Sequence, residues 1–253
     1  MGQEERIQGY EGLSVLICLS SKRLIPFLKI TYAKKAPPFA KIDNIEQILT
    51  KHYGTIYTDL DKYQSEVLEK EKETSGESGL PGTEFIKFDG QNQVVQRVRL
   101  SDESFHEQSY FMQALLPFFI EGAVIVEPSP FWNYFLVYEQ STQKLMALFT
   151  VYEAHLSMDR YRTKVSQVLV LPSYQRRGIA SRVYELIYRE YRLNDPRCFQ
   201  LMVEDAAEDF QKVQDICQAK VMLEYLAELS GQESEDQQAR RFHPIPAAIT
   251  TAE

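Results

Sequence analysis

Gln175-Arg176-Arg177-Gly178-Ile179-Ala180 places two guanidinium groups and a glycine between an apolar run and an amphipathic one. The run from Val165 reads as a buried strand, a turn opens at Leu171-Pro172-Ser173-Tyr174, and a helix follows with apolar residues at Val183, Leu186 and Ile187. The first N–H groups of a helix have no intrahelical partner, and the helix dipole adds partial positive charge there, so a strand, a turn and a helix start form an anion site. The arginines and glycine point to a phosphate-bearing ligand; a plain strand-to-helix connection fits the same residues. A second candidate is Glu204-Asp205, at the end of a strand over 200–204. A carboxylate there can accept a proton if partial burial raises its pKa. A solvated acidic pair capping the next helix fits equally well.

The elements that must hold these residues can be read in order. Residues 13–20 and 27–33 pattern as strands, and Pro37-Pro38 ends the second of them. Asp43 or Asn44 can cap a short helix with Ile45, Ile48 and Leu49 on one face. Thr58 can cap another carrying Leu60, Tyr63, Val67 and Leu68. Residues 74–83 are a loop by composition, 84–89 and 94–100 a hairpin, and Asp102-Glu103 opens a helix with Phe105, Met112, Leu115 and Leu116 on one side. Glu127-Pro128-Ser129-Pro130 marks a domain boundary. Beyond it, aromatic and β-branched runs at 133–139 and 144–155 form a second hairpin, and a helix over 207–220 comes after the 200–204 strand. This order implies a mixed sheet with at least one right-handed crossover. The reading divides the chain into residues 1–130, 131–228 and a polar tail, 229–253.

Composition narrows the function. A net charge of −8 argues against a nucleic-acid binder; it is compatible with a basic peptide substrate and is equally ordinary for a soluble protein. Cys18, Cys198 and Cys217 are odd in number and lack metal or redox spacing, which points to a reducing compartment and no metal. No apolar run approaches the ~20 residues of a membrane span, and Met1 to Arg6 lacks a signal-peptide apolar region. The fingerprints of Rossmann and P-loop sites are missing. His52, His106, His155 and His243 show no ligand spacing, Trp132 reads as a structural anchor, and neither Cys198 nor Cys217 has a base beside it in sequence.

The Gln175-x-x-Gly178-x-Ala180 turn resembles the acyl-CoA diphosphate loop of the GNAT acetyltransferase superfamily. The stretches VSQVLVLPSYQRRGIASRVYELIYREY, LMVEDAAEDFQKVQD, FWNYFLVYE and TVYEAH, with EGLSVLICLSSKRLIPFLKITYAKKA upstream, together resemble the catalytic subunit of type B histone acetyltransferase from about Tyr10 to Met222. The resemblance implies an α/β (α+β) GNAT fold with a centrally splayed mixed sheet, preceded by a smaller α+β domain. It implies acetyl transfer from acetyl-CoA to lysines in the tails of newly made histones, chiefly the fourth core histone, by direct attack in a ternary complex. Lysine, with a pKa of about 10.4, must lose a proton first. Carried over by position, Glu204 is the general base and Asp205 its acidic neighbour. Gln167, Val168 and Leu169 would meet the thioester and pantetheine through strand backbone. Tyr174, Gln175, Arg176, Arg177, Gly178, Ile179 and Ala180 would hold the diphosphate. Val151, Tyr152 and Glu153, with Asn44, Ile45 and Glu46, would meet the histone tail, and Asp205, Glu153 and Glu46 would supply negative potential. The family also implies a β-propeller (WD-repeat) histone-chaperone partner and residence in cytoplasm and nucleus. Arg176, Arg177 and Ala180 stand where the family has a more glycine-rich loop, and Ala206 where it has proline. An acetyltransferase of the same fold acting on another cationic amine or protein, and a non-catalytic histone-binding module, are the alternatives.

Overall fold

In a computed structural model of the chain, residues 7–73, 84–87 and 92–231 are described. Two helices begin where capping chemistry places them. Asn44 Oδ1 accepts from the Gln47 N–H at 3.0 Å and starts α1, Ile45–Tyr53. Asp102 Oδ1 accepts from the Ser104 N–H at 3.0 Å and starts the long helix Glu103–Leu115. Between them the cap falls on Asp59 rather than Thr58: its Oδ1 takes the Lys62 N–H at 2.9 Å and opens α2, Leu60–Tyr63. Aspartate is the stronger N-cap of the two. The shift leaves Leu60 exposed while Tyr63 and Val67 are buried. A π-turn, Gln64–Leu68, leads into α3, Glu69–Glu73.

The chain divides into two compact units, Met1–Glu153 with Val165–Arg177, and Ala154–Lys164 with Gly178–Glu253. In the first, β1 (Tyr10–Glu11) pairs with β4 (Lys34–Lys35), and β2 (Ser14–Leu19) pairs antiparallel with β3 (Pro26–Thr31). The larger sheet holds β5 (Glu84–Lys87), β6 (Gln93–Arg99), β7 (Trp132–Glu139), most of β8 (Leu145–Ser157) and the second half of β9 (Arg160–Val170), in the order β9-β8-β7-β6-β5. The β5/β6, β6/β7 and β7/β8 pairs are antiparallel. Register puts Tyr134, Leu136 and Tyr138 of β7 on one face beside Val98 and Leu148. There they join Phe105, Met112 and Leu116 of the Glu103 helix (α4) and its extension in a buried cluster. Each such side chain contributes about 1.5–3 kcal/mol by leaving water, which makes this sheet a rigid support for whatever its edges carry.

In the second unit, residues 154–157 of β8 and 160–164 of β9 are joined by Met158-Asp159, a connection that only an antiparallel pair admits. α5 (Ile179–Tyr188) runs through a π-turn (Arg189–Asn194) to β10 (Cys198–Val203), which lies next to β9. α6, Glu208–Gly231, packs on α5, with the Tyr184 and Phe210 rings T-shaped at 5.5 Å and Lys220 Nζ 2.7 Å from Glu185. Several boundaries differ from expectation. β9 starts at Arg160, because Tyr161 and Thr163 alternate inward between Arg160, Arg162 and Lys164. β10 starts at Cys198, whose side chain is fully buried. α6 passes residue 220 and continues to Gly231. The expected 74–83 loop, the end of the 84–89 strand and residues 232–253 of the polar tail lie outside the described residues.

Candidate functional site

The turn after β9 is built on backbone and on its own side chains. The Leu171 N–H donates to the Met146 carbonyl at 2.9 Å, so the turn leaves from the sheet itself. Pro172–Tyr174 makes a single 3-10 turn, and Gln175 Nε2 donates back to the Val170 carbonyl at 2.9 Å. Arg177 folds inward: Nη2 donates to the Ser173 carbonyl at 2.9 Å, and its guanidinium carbon lies 5.3 Å from the Tyr174 ring centre. Arg177, exposed to solvent, therefore braces the turn through part of its guanidinium. Arg176 has φ +62°, a left-handed conformation that disfavours any residue with a Cβ.

Gly178, φ +71°, is the N-cap of α5. The first intrahelical bond runs from the Arg182 N–H to the Gly178 carbonyl at 3.2 Å, so the N–H groups of Ile179, Ala180 and Ser181 precede it. A Cβ placed on Gly178 would stand 2.9 Å from Arg182 Nη1. Arg182, one helical turn in, thus lays its guanidinium against the glycine, and partial burial pulls its pKa down. Sequence reading missed it: its spacing from Gly178, i to i+4, was the available signal. Unpaired helix-start N–H groups, a glycine without a side chain and an adjacent guanidinium suit a diphosphate.

Glu204 and Asp205 come directly after the last residue of β10. Glu204 Oε1 lies 2.7 Å from Lys164 Nζ, with the two side chains 39% and 35% exposed. Lys164 belongs to the unpredicted first half of β9. Asp205 is exposed, with φ +40°. Aspartate tolerates the left-handed region better than most residues, and the turn directs the chain from β10 toward α6.

On β9, Gln167 is buried, and its N–H is taken by Thr150 Oγ1 at 3.0 Å. Val168 is half-buried, and Leu169 lies in the apolar cluster of the first unit. On β8, Val151 is fully buried, and Tyr152 stacks obliquely on Trp132 at 4.8 Å, with Phe131 at 6.4 Å. Glu153 is buried: Oε1 accepts from Arg97 Nη2 at 3.1 Å and from Asn133 Nδ2 at 2.9 Å. Its charge is balanced inside the first unit. Asn44 caps α1, Ile45 is buried beneath that helix and Glu46 is exposed in its first turn.

The remaining candidates among the described residues take structural places, while His243 lies outside them. A ring nitrogen of His52 meets the Ala114 carbonyl at 2.8 Å, and one of His106 the Leu100 carbonyl at 2.9 Å. His155 stacks on Tyr161 at 5.0 Å. Burial pushes the Cys217 thiol up to about 11 and raises that of Cys198 as well, which disfavours the thiolate a nucleophile needs. Among the described residues, no group of three or more His, Cys, Asp or Glu could hold a metal ion, and no helix is long and apolar enough to cross a membrane.

Residues 1–121 match the family described as "Histone acetyl transferase HAT1 N-terminus". The chain is 26% identical over 250 residues to the histone acetyltransferase type B catalytic subunit of Mycosarcoma maydis, covering 85% of this chain and 56% of that protein. Against the subunit of the same name in Debaryomyces hansenii, identity is 29% over 231 residues, 85% of this chain and 56% of the other. For Schizosaccharomyces pombe it is 27% over 229 residues, 88% and 58%. The chain thus spans somewhat over half the length of these relatives. Among solved structures, the xEco2 acetyltransferase domain bound to a K105-CoA conjugate aligns with a TM-score of 0.41 at 12% identity, over 54% of this chain and 93% of that one.

Proposed function

We propose that this chain, related by sequence to type B histone acetyltransferase catalytic subunits, transfers acetyl groups from acetyl-CoA to lysines of a histone N-terminal tail, chiefly that of the fourth core histone. The observation that carries the reading is that this relation runs along 85% or more of the chain and takes in both the turn before α5 and the carboxylate pair after β10. Bound acetyl-CoA supplies the activated acyl group. The N–H groups at the start of α5, Gly178 and Arg182 bind its diphosphate, with Tyr174 to Arg177 as the structured approach. Val168 and Leu169 offer strand backbone to the pantetheine arm. Gln167 contributes by position, since Thr150 takes its N–H.

Glu204 would take the proton from the acceptor ammonium, directly or through water; the neutral amine would then attack the acetyl thioester in a ternary complex without an acyl-enzyme, the C–S bond breaking and CoA leaving as the thiol. Lys164 fixes the Glu204 carboxylate. Asp205 and Glu46 supply exposed negative charge for a basic tail, and Val151 to Glu153 supply an acceptor-side strand with Tyr152 as its reachable side chain. A β-propeller histone chaperone is the proposed partner, and cytoplasm and nucleus the proposed compartments. The test is mass-spectrometric mapping of acetylation on a histone-tail peptide incubated with the protein and acetyl-CoA, with spermidine as a competing amine. Acetyl groups on tail lysines are expected. Transfer to the polyamine alone overturns the histone assignment, and binding of the peptide without transfer overturns the catalytic one.

A further inference from the structure

We propose that two buried glutamines, Gln113 and Gln167, are positioning residues that hold residues 124–126 as a ledge for the aliphatic and cationic parts of an extended basic acceptor peptide. The inference rests on the acceptor class proposed above. Between α4 and β7 the chain runs through residues 119–131 without helix or strand. Its backbone bonds lie near the ends, from the Ala123 N–H to the Ile120 carbonyl and from the Trp132 N–H to the Ser129 carbonyl. The middle is held by side-chain amides. Gln113 Oε1, from α4, accepts the Val126 N–H. Gln167 Nε2, from β9, donates to the Val124 carbonyl at 2.9 Å.

Both glutamines are nearly inaccessible, 3% and 5% exposed. Gln167 is itself fixed by Thr150, which donates from Oγ1 to Gln167 Oε1 at 3.3 Å while accepting the Gln167 N–H. Val126, whose N–H Gln113 accepts, is buried in the apolar cluster. A buried amide with defined donor and acceptor partners fixes a segment more tightly than apolar contact does, because slipping the register leaves a buried polar group unpaired.

The surface that the clamps present is unusual for a loop. Val124 is 66% exposed and Ile125 46%, so two β-branched apolar side chains are held in water by a rigid backbone. Exposed Glu121 and Glu127 flank them. A lysine-rich peptide in extended form matches this mixture, with methylene stems against Val124 and Ile125 and ammonium groups toward the carboxylates. Gln167 lies on the strand proposed to carry the cofactor arm, so one side chain ties the acceptor ledge to that strand within a single unit. Sequence could not show this, since glutamine carries no spacing signature.

The experiment measures binding separately from turnover. Titration calorimetry with a basic histone-tail peptide and with acetyl-CoA compares the parent with Gln113→Met and with the surface variants Val124→Ser and Ile125→Ser, while hydrogen exchange follows the Val126 amide. Gln113→Met is expected to speed that exchange about tenfold or more, from the loss of one buried hydrogen bond. Each of the three variants is expected to weaken peptide binding about three- to tenfold and leave acetyl-CoA binding within about twofold. Peptide affinity unchanged in all three variants, or a parent that does not bind the peptide, overturns the ledge. Unchanged Val126 exchange in a folded Gln113→Met protein overturns the clamp. Should Gln113→Met fail to fold, the two exposed substitutions still decide the docking. A parent that binds the peptide in this pattern but transfers no acetyl group removes the catalytic reading and leaves the ledge standing.

Discussion

Glu204→Gln separates a structural from a chemical role for the carboxylate, because the geometry sets very different magnitudes for the two. The Glu204–Lys164 contact is 2.7 Å, but both side chains are more than a third exposed. Water and salt screen such a pair to about 0.2–1 kcal/mol. Removing it should lower the melting temperature by no more than about 4 °C for a chain of this size. A positioned general base is worth about 10²–10⁴ in rate, or roughly 2.7–5.4 kcal/mol of barrier. The variant should therefore melt nearly like the parent yet turn over at a hundredth of its rate or less near pH 7, on a tail peptide at saturating acetyl-CoA. The pH profile then identifies the step. The neutral fraction of the acceptor rises about tenfold per pH unit below its pKa of about 10.4. If Glu204 only deprotonates the amine, the rate of the glutamine variant climbs with that fraction and the deficit shrinks from pH 7 to 9.5. Turnover near the parent value at neutral pH refutes the assignment. A deficit constant across that range shows that the carboxylate acts by another route.

Arg176→Gly should raise stability: the left-handed backbone costs an arginine about 1–2 kcal/mol, and the added unfolded-chain entropy of glycine offsets about 0.5–1. A thermal melt unchanged or lowered would mean that the arginine side chain holds the turn. Asp195 is held at about 2, below its ordinary 3.8, chiefly by its hydrogen bond with Arg197 and also by the Tyr161 hydroxyl. Its stabilising contribution is complete above about pH 4 and fades as pH falls toward 2, so the denaturation-midpoint gap between parent and Asp195→Asn should be constant from pH 5 to 7 and close on acidification.

Local chemistry made much of the scaffold legible. Asn44 and Asp102 announce their helices because a short side-chain acceptor next to an apolar period has one stable use. The β7 and β8 hairpin shows in uninterrupted aromatic and aliphatic residues, since a strand covered on both faces needs no alternation. The first half of β9 was hidden by charge. Arg160 and Arg162 reach across the Phe199 ring, at 4.9 and 5.8 Å, so cations that lay outside the expected strand line a sheet. The candidate site was legible where backbone would make it, at the Gly178 cap and the start of α5. It was not legible where distant side chains complete it, as in Lys164 with Glu204 or Gln167 with Val124. Those partners are set by strand neighbours and by a loop path that composition does not encode.

The way β8 and β9 thread both units bears on how the protein is made. The chain leaves the first unit after Glu153, returns to it at Val165 and leaves again after Arg177. On a ribosome, the first 153 residues therefore emerge without the last strand of their own sheet, and β8 waits as an open edge while residues 154–164, which belong to the other unit, are added. An open edge is the part of a nascent sheet most apt to pair wrongly. The first unit closes only once the turn up to Arg177 has cleared the exit tunnel. By then α5 is the next segment to emerge, so the turn that leads into it is completed only after the sheet strands that precede it.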